Sequence, residues 1–176
     1  MEYPGPERGR AGAGHAHGGD VVKFAGDALL ALWPAQSQSP ARHDRRDLAL
    51  SVPRAAQCAL TIQRTMHNHE PVQGCRISLR VGVAAGEVSV SHVGGVFSRW
   101  ELLVAGVPLE RVSSAEQHAR PGQVLLATEA WEMIKDHCLG APLDDPAGLF
   151  RLDGLSEPLV LYPLPPVSLS PTMSAG

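Results

Sequence analysis

Apolar residues in this chain fall into short alternating or continuous runs separated by two stretches of helical spacing. Val21, Val22 and Phe24 favour extended backbone, and Ala28 to Trp33 is a compact apolar run. Ala25-Gly26-Asp27-Ala28 between them has turn chemistry, because Gly tolerates positive φ and Asp can bond its own backbone. The pattern predicts two strands joined by a tight turn that presents Asp27, with Lys23 four residues before it. From Asp44 to Asn68 the spacing becomes helical: Ala55, Cys58, Ala59, Ile62 and Met66 fall at i, i+3, i+4, i+7 and i+11. Pro53 is tolerated best in a first turn, so the regular helix is expected to begin close to it.

Alternation then returns. Ile77, Leu79, Val81 and Val83 interleave with Ser78, Arg80 and Gly82, and Gly86-Glu87 is expected to turn the chain into Val88-Ser89-Val90 as a second strand pair. Trp100 to Ala105 reads as a strand, Pro108 to Ala119 as a helix, and Val124 to Ala127 as a short strand. A helix from Thr128 to about His137 follows, with Thr128 as its N-cap. Phe150-Arg151-Leu152 and Val160-Leu161-Tyr162 are expected to form a terminal hairpin. Strand pairs separated by helices predict an α+β fold, with helices on one face of a mostly antiparallel sheet. No internal repeat is present.

The ends and one junction have a different composition. Residues 1–19 are rich in Gly, Ala, Pro and Arg and are expected to be a disordered tail; 20–164 form the domain, and 165–176 a Pro/Ser-rich tail. Ala35 to Arg42 reads as a Gln/Ser/Pro linker. The charge run from Arg42 to Asp47 reads as a solvated helix entry ahead of a phosphate site. His15, His17 and Asp20 have donor atoms for a metal, but in a Gly-rich tail such histidines are more often solvated.

Size and charge narrow the classes. The 176 residues suffice for one domain with a core. A formal net charge of −3 gives no electrostatic reason to expect nucleic acid or an anionic membrane as partner. No apolar stretch reaches the length of a membrane span, and no signal peptide precedes the domain. Cys58, Cys75 and Cys138 are odd in number and lack ligand spacing, which fits reduced thiols in a cytoplasmic protein rather than a disulfide framework or a zinc site.

Lys23-Phe24-Ala25-Gly26-Asp27-Ala28-Leu29-Leu30-Ala31-Leu32-Trp33 resembles the corresponding hairpin of class III nucleotidyl cyclases, most closely the first catalytic half of the soluble, bicarbonate-responsive adenylyl cyclases. Gly18-Gly19-Asp20 is also similar to the diguanylate cyclase signature, but Val21 stands where that signature needs an acid. Three further segments are similar to the class III family: Ile77 to Val88, Leu103 to Leu109 and Gly122 to Ala127. The resemblance covers about Gly18 to Leu164. It implies a ferredoxin-like cyclase fold, partial here in that the first strand and helix are absent. It also implies conversion of ATP to cyclic AMP and pyrophosphate in intracellular signalling, with Mg²⁺ or Mn²⁺ as cofactor. The implied partner is a second cyclase half-domain.

Residue by residue, the resemblance makes Asp27 one of two metal-holding carboxylates, since Mg²⁺ prefers hard oxygen ligands. A turn-stabilising Asp is the alternative. Lys23 and Val104 match the bicarbonate site, where an ammonium and a backbone group meet a small anion; an exposed strand lysine and a core valine are the alternatives. Arg80 matches a basic position on the triphosphate, and a solvent-face charge pair is its alternative.

Three departures set limits on that resemblance. The family's other metal Asp lies on a strand upstream of the hairpin, and no such strand is visible in residues 1–19. Ser113 stands at the family's bicarbonate-binding Arg. Glu110 and Ser114 stand at the Asn and Arg that the opposing subunit contributes to catalysis. These departures predict that the chain alone makes little or no cyclic AMP, and leave a non-catalytic dimerisation or regulatory module as the alternative function.

Overall fold

A computed structural model describes residues 17–35, 45–95, 99–144 and 148–159, without the side chains of 45–49. The first two strands form as their sequence predicts: β1 (Asp20–Ala25) pairs antiparallel with β2 (Ala28–Leu32), with Lys23 opposite Leu30 and Ala25 opposite Ala28. Gly26 takes φ 63°. A II′ turn demands that value of its first central residue, and glycine supplies it without a Cβ clash. The register slips between Val21 and Lys23, a bulge that leaves Val22 without a partner opposite. Gly19 lies against the Trp33 ring, and the Trp33 indole N–H donates to the His17 carbonyl at 3.1 Å.

Helix α1 (Arg45–Met66) starts eight residues before Pro53 rather than near it. Proline there removes the bond to the Ala49 carbonyl. Burial of Ser51, Val52, Ala56, Cys58, Ala59 and Leu60 around the proline holds the helix through the defect. Burial of Cys58 also pushes its thiol up to about 11, which makes it inert.

The central sheet is mixed and has the order β3-β6-β8-β7. Strand β3 (Val81–Val83) runs parallel to β6 (Val124–Ala127), whereas β8 (Leu149–Leu155) runs antiparallel to both β6 and β7 (Cys138–Pro142). The second hairpin expected from the sequence is therefore corrected. Val81–Val83 does not pair with the segment after Gly86; that segment becomes β4 (Ser89–Gly94), which pairs antiparallel with β5 (Trp100–Ala105) as a separate ribbon. Ile77 also lies outside β3, its N–H donating to the His69 carbonyl and its carbonyl accepting from Asn68.

Helices cover both faces of the sheet, not one. Val83, Val124, Leu126 and Leu152 pack with Ala56 and Ala59 of α1 and with Ala130 and Ile134 of α3 (Thr128–Ile134). Leu125 and Leu149 pack on the opposite side with Ala115 and Ala119, from α2 (Val107–His118) and its C-cap. Alternation along β6 makes this unavoidable: all four of its residues are buried, so each face needs its own cover. Thr128 is the first residue of α3 rather than its N-cap. Ala127 holds the cap position, and the Thr128 hydroxyl donates across to the Gly148 carbonyl at 2.7 Å. A 3₁₀ turn, Lys135–His137, extends α3 into β7.

The expected terminal hairpin lies partly outside the described residues, as do most of the two tails and the linker. What is described of the C-terminal side is a clamp. The Gln57 amide on α1 donates to the Leu159 carbonyl at 3.1 Å and accepts from the Leu159 N–H at 2.7 Å. Gln57→Leu keeps the side-chain bulk and removes both bonds, each worth about 1 kcal/mol net. Amide exchange at Leu159 is expected to accelerate about tenfold, read by hydrogen–deuterium exchange, while the β6 amides stay protected.

Candidate functional site

The first hairpin carries two of the candidate residues at its exposed end. Lys23 projects from β1 and Asp27 stands at the turn, both solvent-exposed. Val21 to Phe24 of β1 face Glu101 and Leu102 of β5 across a groove of about 320 Å³. Four consecutive residues of one strand cannot line a groove from a single face, because side chains alternate. The groove therefore runs along the edge of β1, beside its backbone. Val104 lies two residues beyond Leu102 on β5, half-buried and opposite Val90. Lys23 and the Val104 strand are thus neighbours through this groove.

Arg80 is placed elsewhere. It immediately precedes β3, and its guanidinium pairs with the Glu116 carboxylate of α2 at 2.9 Å. Of the two readings the sequence left for Arg80, the structure supplies the charge pair. An exposed pair of this kind is worth about 0.2–1 kcal/mol. Charge-assisted phosphate contacts are stronger, about 1.5–3 kcal/mol each, so Glu116 does not bar Arg80 from a triphosphate.

Helix α2 bears the positions where this chain departs from the cyclase pattern. Glu110 is exposed in its first turn, where a carboxylate suits the helix dipole. Ser113 is exposed and accepts from the Gln117 amide at 3.3 Å. Ser114 lines a pocket of about 180 Å³ with Arg111, Thr128 and Glu129, and Arg111 is ion-paired to Glu129 there. Arg111 lies one turn from Ser114, on the same helix face, and not on the face of Ser113. Glu101, Glu116 and the Arg111–Glu129 pair went unnoticed in the sequence. Each depends on elements brought together only by the fold, and no local signal marks them.

As a ligand, Asp27 suits a divalent cation: an exposed carboxylate on a rigid turn is the hard oxygen donor that Mg²⁺ takes alongside substrate phosphates. Among the described residues no group of three or more His, Cys, Asp or Glu comes together to form a complete cage. Asp20, the other acid of the hairpin, sits opposite Leu32 at the far end of the ladder from the turn. His17 is buried with its carbonyl bonded to Trp33, while His15 lies outside the described residues.

No protein-family model matches the chain. Adenylate cyclase type 10 of Oryctolagus cuniculus is 34% identical over 116 residues, 66% of this chain and 7% of that protein. The human type 10 enzyme matches to the same extent. The chain therefore spans less than a tenth of the length of these relatives. Among solved structures, the adenylyl cyclase CyaB from P. aeruginosa aligns with TM-score 0.68 at 17% identity, over 86% of this chain and 80% of that one. A dimeric guanylyl cyclase domain of the RhoGC fusion protein from Blastocladiella emersonii aligns with TM-score 0.68 at 19% identity, over 83% and 78%. The structural likeness fixes the fold, and the sequence likeness ties it to cyclases. The chain belongs to the class III nucleotidyl cyclase domains.

Proposed function

We propose that this chain is one catalytic half of a soluble-type adenylyl cyclase, completed by a second cyclase half-domain. The observation that carries the proposal is the first hairpin, which presents Lys23 and Asp27 at its exposed end beside the β1–β5 groove. The reaction is attack of the ribose 3′-hydroxyl of ATP on the α-phosphorus, with pyrophosphate leaving. Catalysis of such a transfer is mostly positioning and charge stabilisation. Asp27 would hold one Mg²⁺ or Mn²⁺, which neutralises phosphate charge when bound. Arg80, released from Glu116, would grip the triphosphate through its planar fork.

Lys23 and Val104 would form an anion site suited to bicarbonate, a small planar anion that fits an ammonium and a backbone donor. Ser113 contributes a hydroxyl there instead of a charge, so affinity for the anion is reduced. The absence of a helix long and apolar enough to cross a membrane among the described residues is compatible with work in the cytoplasm.

A second reading is a non-catalytic pairing module. The Ser114 pocket supports it. Its one guanidinium, Arg111, is held by Glu129 and displaced a turn from the position where the family's Arg acts. Losing a transition-state Arg costs orders of magnitude in rate.

An assay with Mn²⁺-ATP separates the readings. The isolated chain is expected to form little or no cyclic AMP, and adding a complementary second half is expected to restore it. Robust product from the isolated chain would overturn the incomplete-site reading. No product in the presence of the second half, with the two halves bound to each other, would favour the pairing module.

A further inference from the structure

The β4–β5 ribbon stands apart from the central sheet, and all six residues of β4 are exposed. Its apolar side chains are not tucked underneath. On one face Val93 and Leu103 are 45% and 51% exposed; on the other, Val90 and Trp100 are 49% and 64% exposed. A two-stranded ribbon is at best marginal in water without something packed on it. Apolar surface open on both faces marks a place where another chain is seated.

The charges beside that surface say which chain. Lys23 and Glu101 line the same groove, and neither has an ion pair or hydrogen bond within the described residues. One cation and one anion, left unpaired on a single patch, make that patch complementary to itself. A two-fold axis brings the Lys23 of each copy to the Glu101 of the other, the isologous arrangement of most soluble dimers. A patch of one sign would call for a partner of different composition. We propose that a second copy of this chain docks on the β4–β5 ribbon and the β1 edge, with Leu103 and Trp100 as apolar anchors and two symmetric Lys23–Glu101 pairs setting the register. The inference rests on the pairing reading above and gives it a surface and a partner.

Analytical ultracentrifugation of the whole chain, at up to about 100 μM, is the test. The unaltered chain is expected to dimerise, and Leu103→Asp to leave it monomeric. Lys23→Glu and Glu101→Lys should each weaken the dimer about tenfold, and the double variant, with both charges exchanged, should recover to within about threefold. Circular dichroism melts show that each variant is folded. If Leu103→Asp unfolds, the charge-exchange series decides alone, because its members alter only exposed side chains.

A monomer at the highest concentration, or a double variant no better than the singles, overturns the proposal. A chain that dimerises by this rule yet yields no cyclic AMP with a complementary half retains the self-pairing and loses the catalytic-half function. A monomer that yields cyclic AMP with that half does the reverse.

Discussion

Gly82→Val is expected to abolish the folded state, or to leave it so weakened that it melts below the temperature at which the unaltered chain is intact. Gly82 is the middle residue of β3, and α2 crosses directly over it. A Cβ at this position would lie 2.5 Å from the Val112 carbonyl oxygen, 2.9 Å from the Glu116 nitrogen and 3.2 Å from the Ala115 Cβ. The first two are helix backbone, which cannot rotate aside as a side chain can. The whole of α2 would have to lift, and Ala115, Ala119 and Leu125 would lose their packing. Gly82→Ala alone is expected to cost about 1–3 kcal/mol through overpacking. That corresponds to about 2–4 °C in melting temperature for each kcal/mol in a chain of this size. Valine adds two methyl groups to the same clash.

The contrast is Gly154 on β8, also buried, where a Cβ would meet nothing closer than the Leu139 Cδ1 at 3.7 Å. Gly154→Ala should be neutral or stabilising by about 0.4–1 kcal/mol, since it restricts only the unfolded chain. Thermal melts of the three variants decide the matter. Equal effects at both glycines would mean that α2 does not press on β3 as described.

Gly82 also shows where sequence reading stops. In the alternation of Ile77 to Val83, glycine falls among Ser78 and Arg80, so it reads as part of a solvent face. The strand's partner is β6, forty-odd residues later, and its cover on that side is α2; neither is visible from the local pattern. The first hairpin was legible for the opposite reason. Its strands, turn residue and register are all encoded within Asp20 to Leu32, and Gly26 is the residue the turn needs. Strand β6 was legible because continuous burial writes a continuous apolar run, Val124 to Ala127. Strand β7 was not: Cys138-Leu-Gly-Ala-Pro carries two residues that normally break strands. The structure accommodates them at a sheet edge, where Pro142 omits no inner ladder bond and Gly140 lets the Arg151 carbonyl and the Trp131 ring approach.

The candidate site divides along the same line. Lys23 and Asp27 belong to one hairpin, and their positions follow from it. Arg80 was identified from its segment, but its neighbour Glu116 comes from α2, and a charge partner thirty-six residues away leaves no local trace. The groove joining Lys23 to β5 is equally non-local.

Asp27→Asn is the substitution with the largest expected effect on function. Asparagine is nearly the same size, the residue sits exposed on a turn, and asparagine suits turns as well as aspartate does. The fold should therefore survive, with an unchanged melting curve. What the substitution removes is the negative charge that attracts a divalent cation. An amide oxygen still coordinates, but without the charge. Losing a contact to a charged group costs about 1.5–3 kcal/mol, a ten- to hundredfold loss of affinity. The deficit should appear only with divalent metal present. Titration calorimetry of ATP in Mg²⁺ should show the variant binding at least about tenfold more weakly, and in EDTA the two proteins should bind alike. Glu101→Gln, a charge removal of the same size on β5, should leave the metal-dependent increment unchanged. If Asp27→Asn binds Mg²⁺-ATP as the unaltered chain does, the hairpin carboxylate has no metal role. The turn would then be a structural relic within a pairing domain, and Arg80 would remain the charge pair that the fold already provides for it.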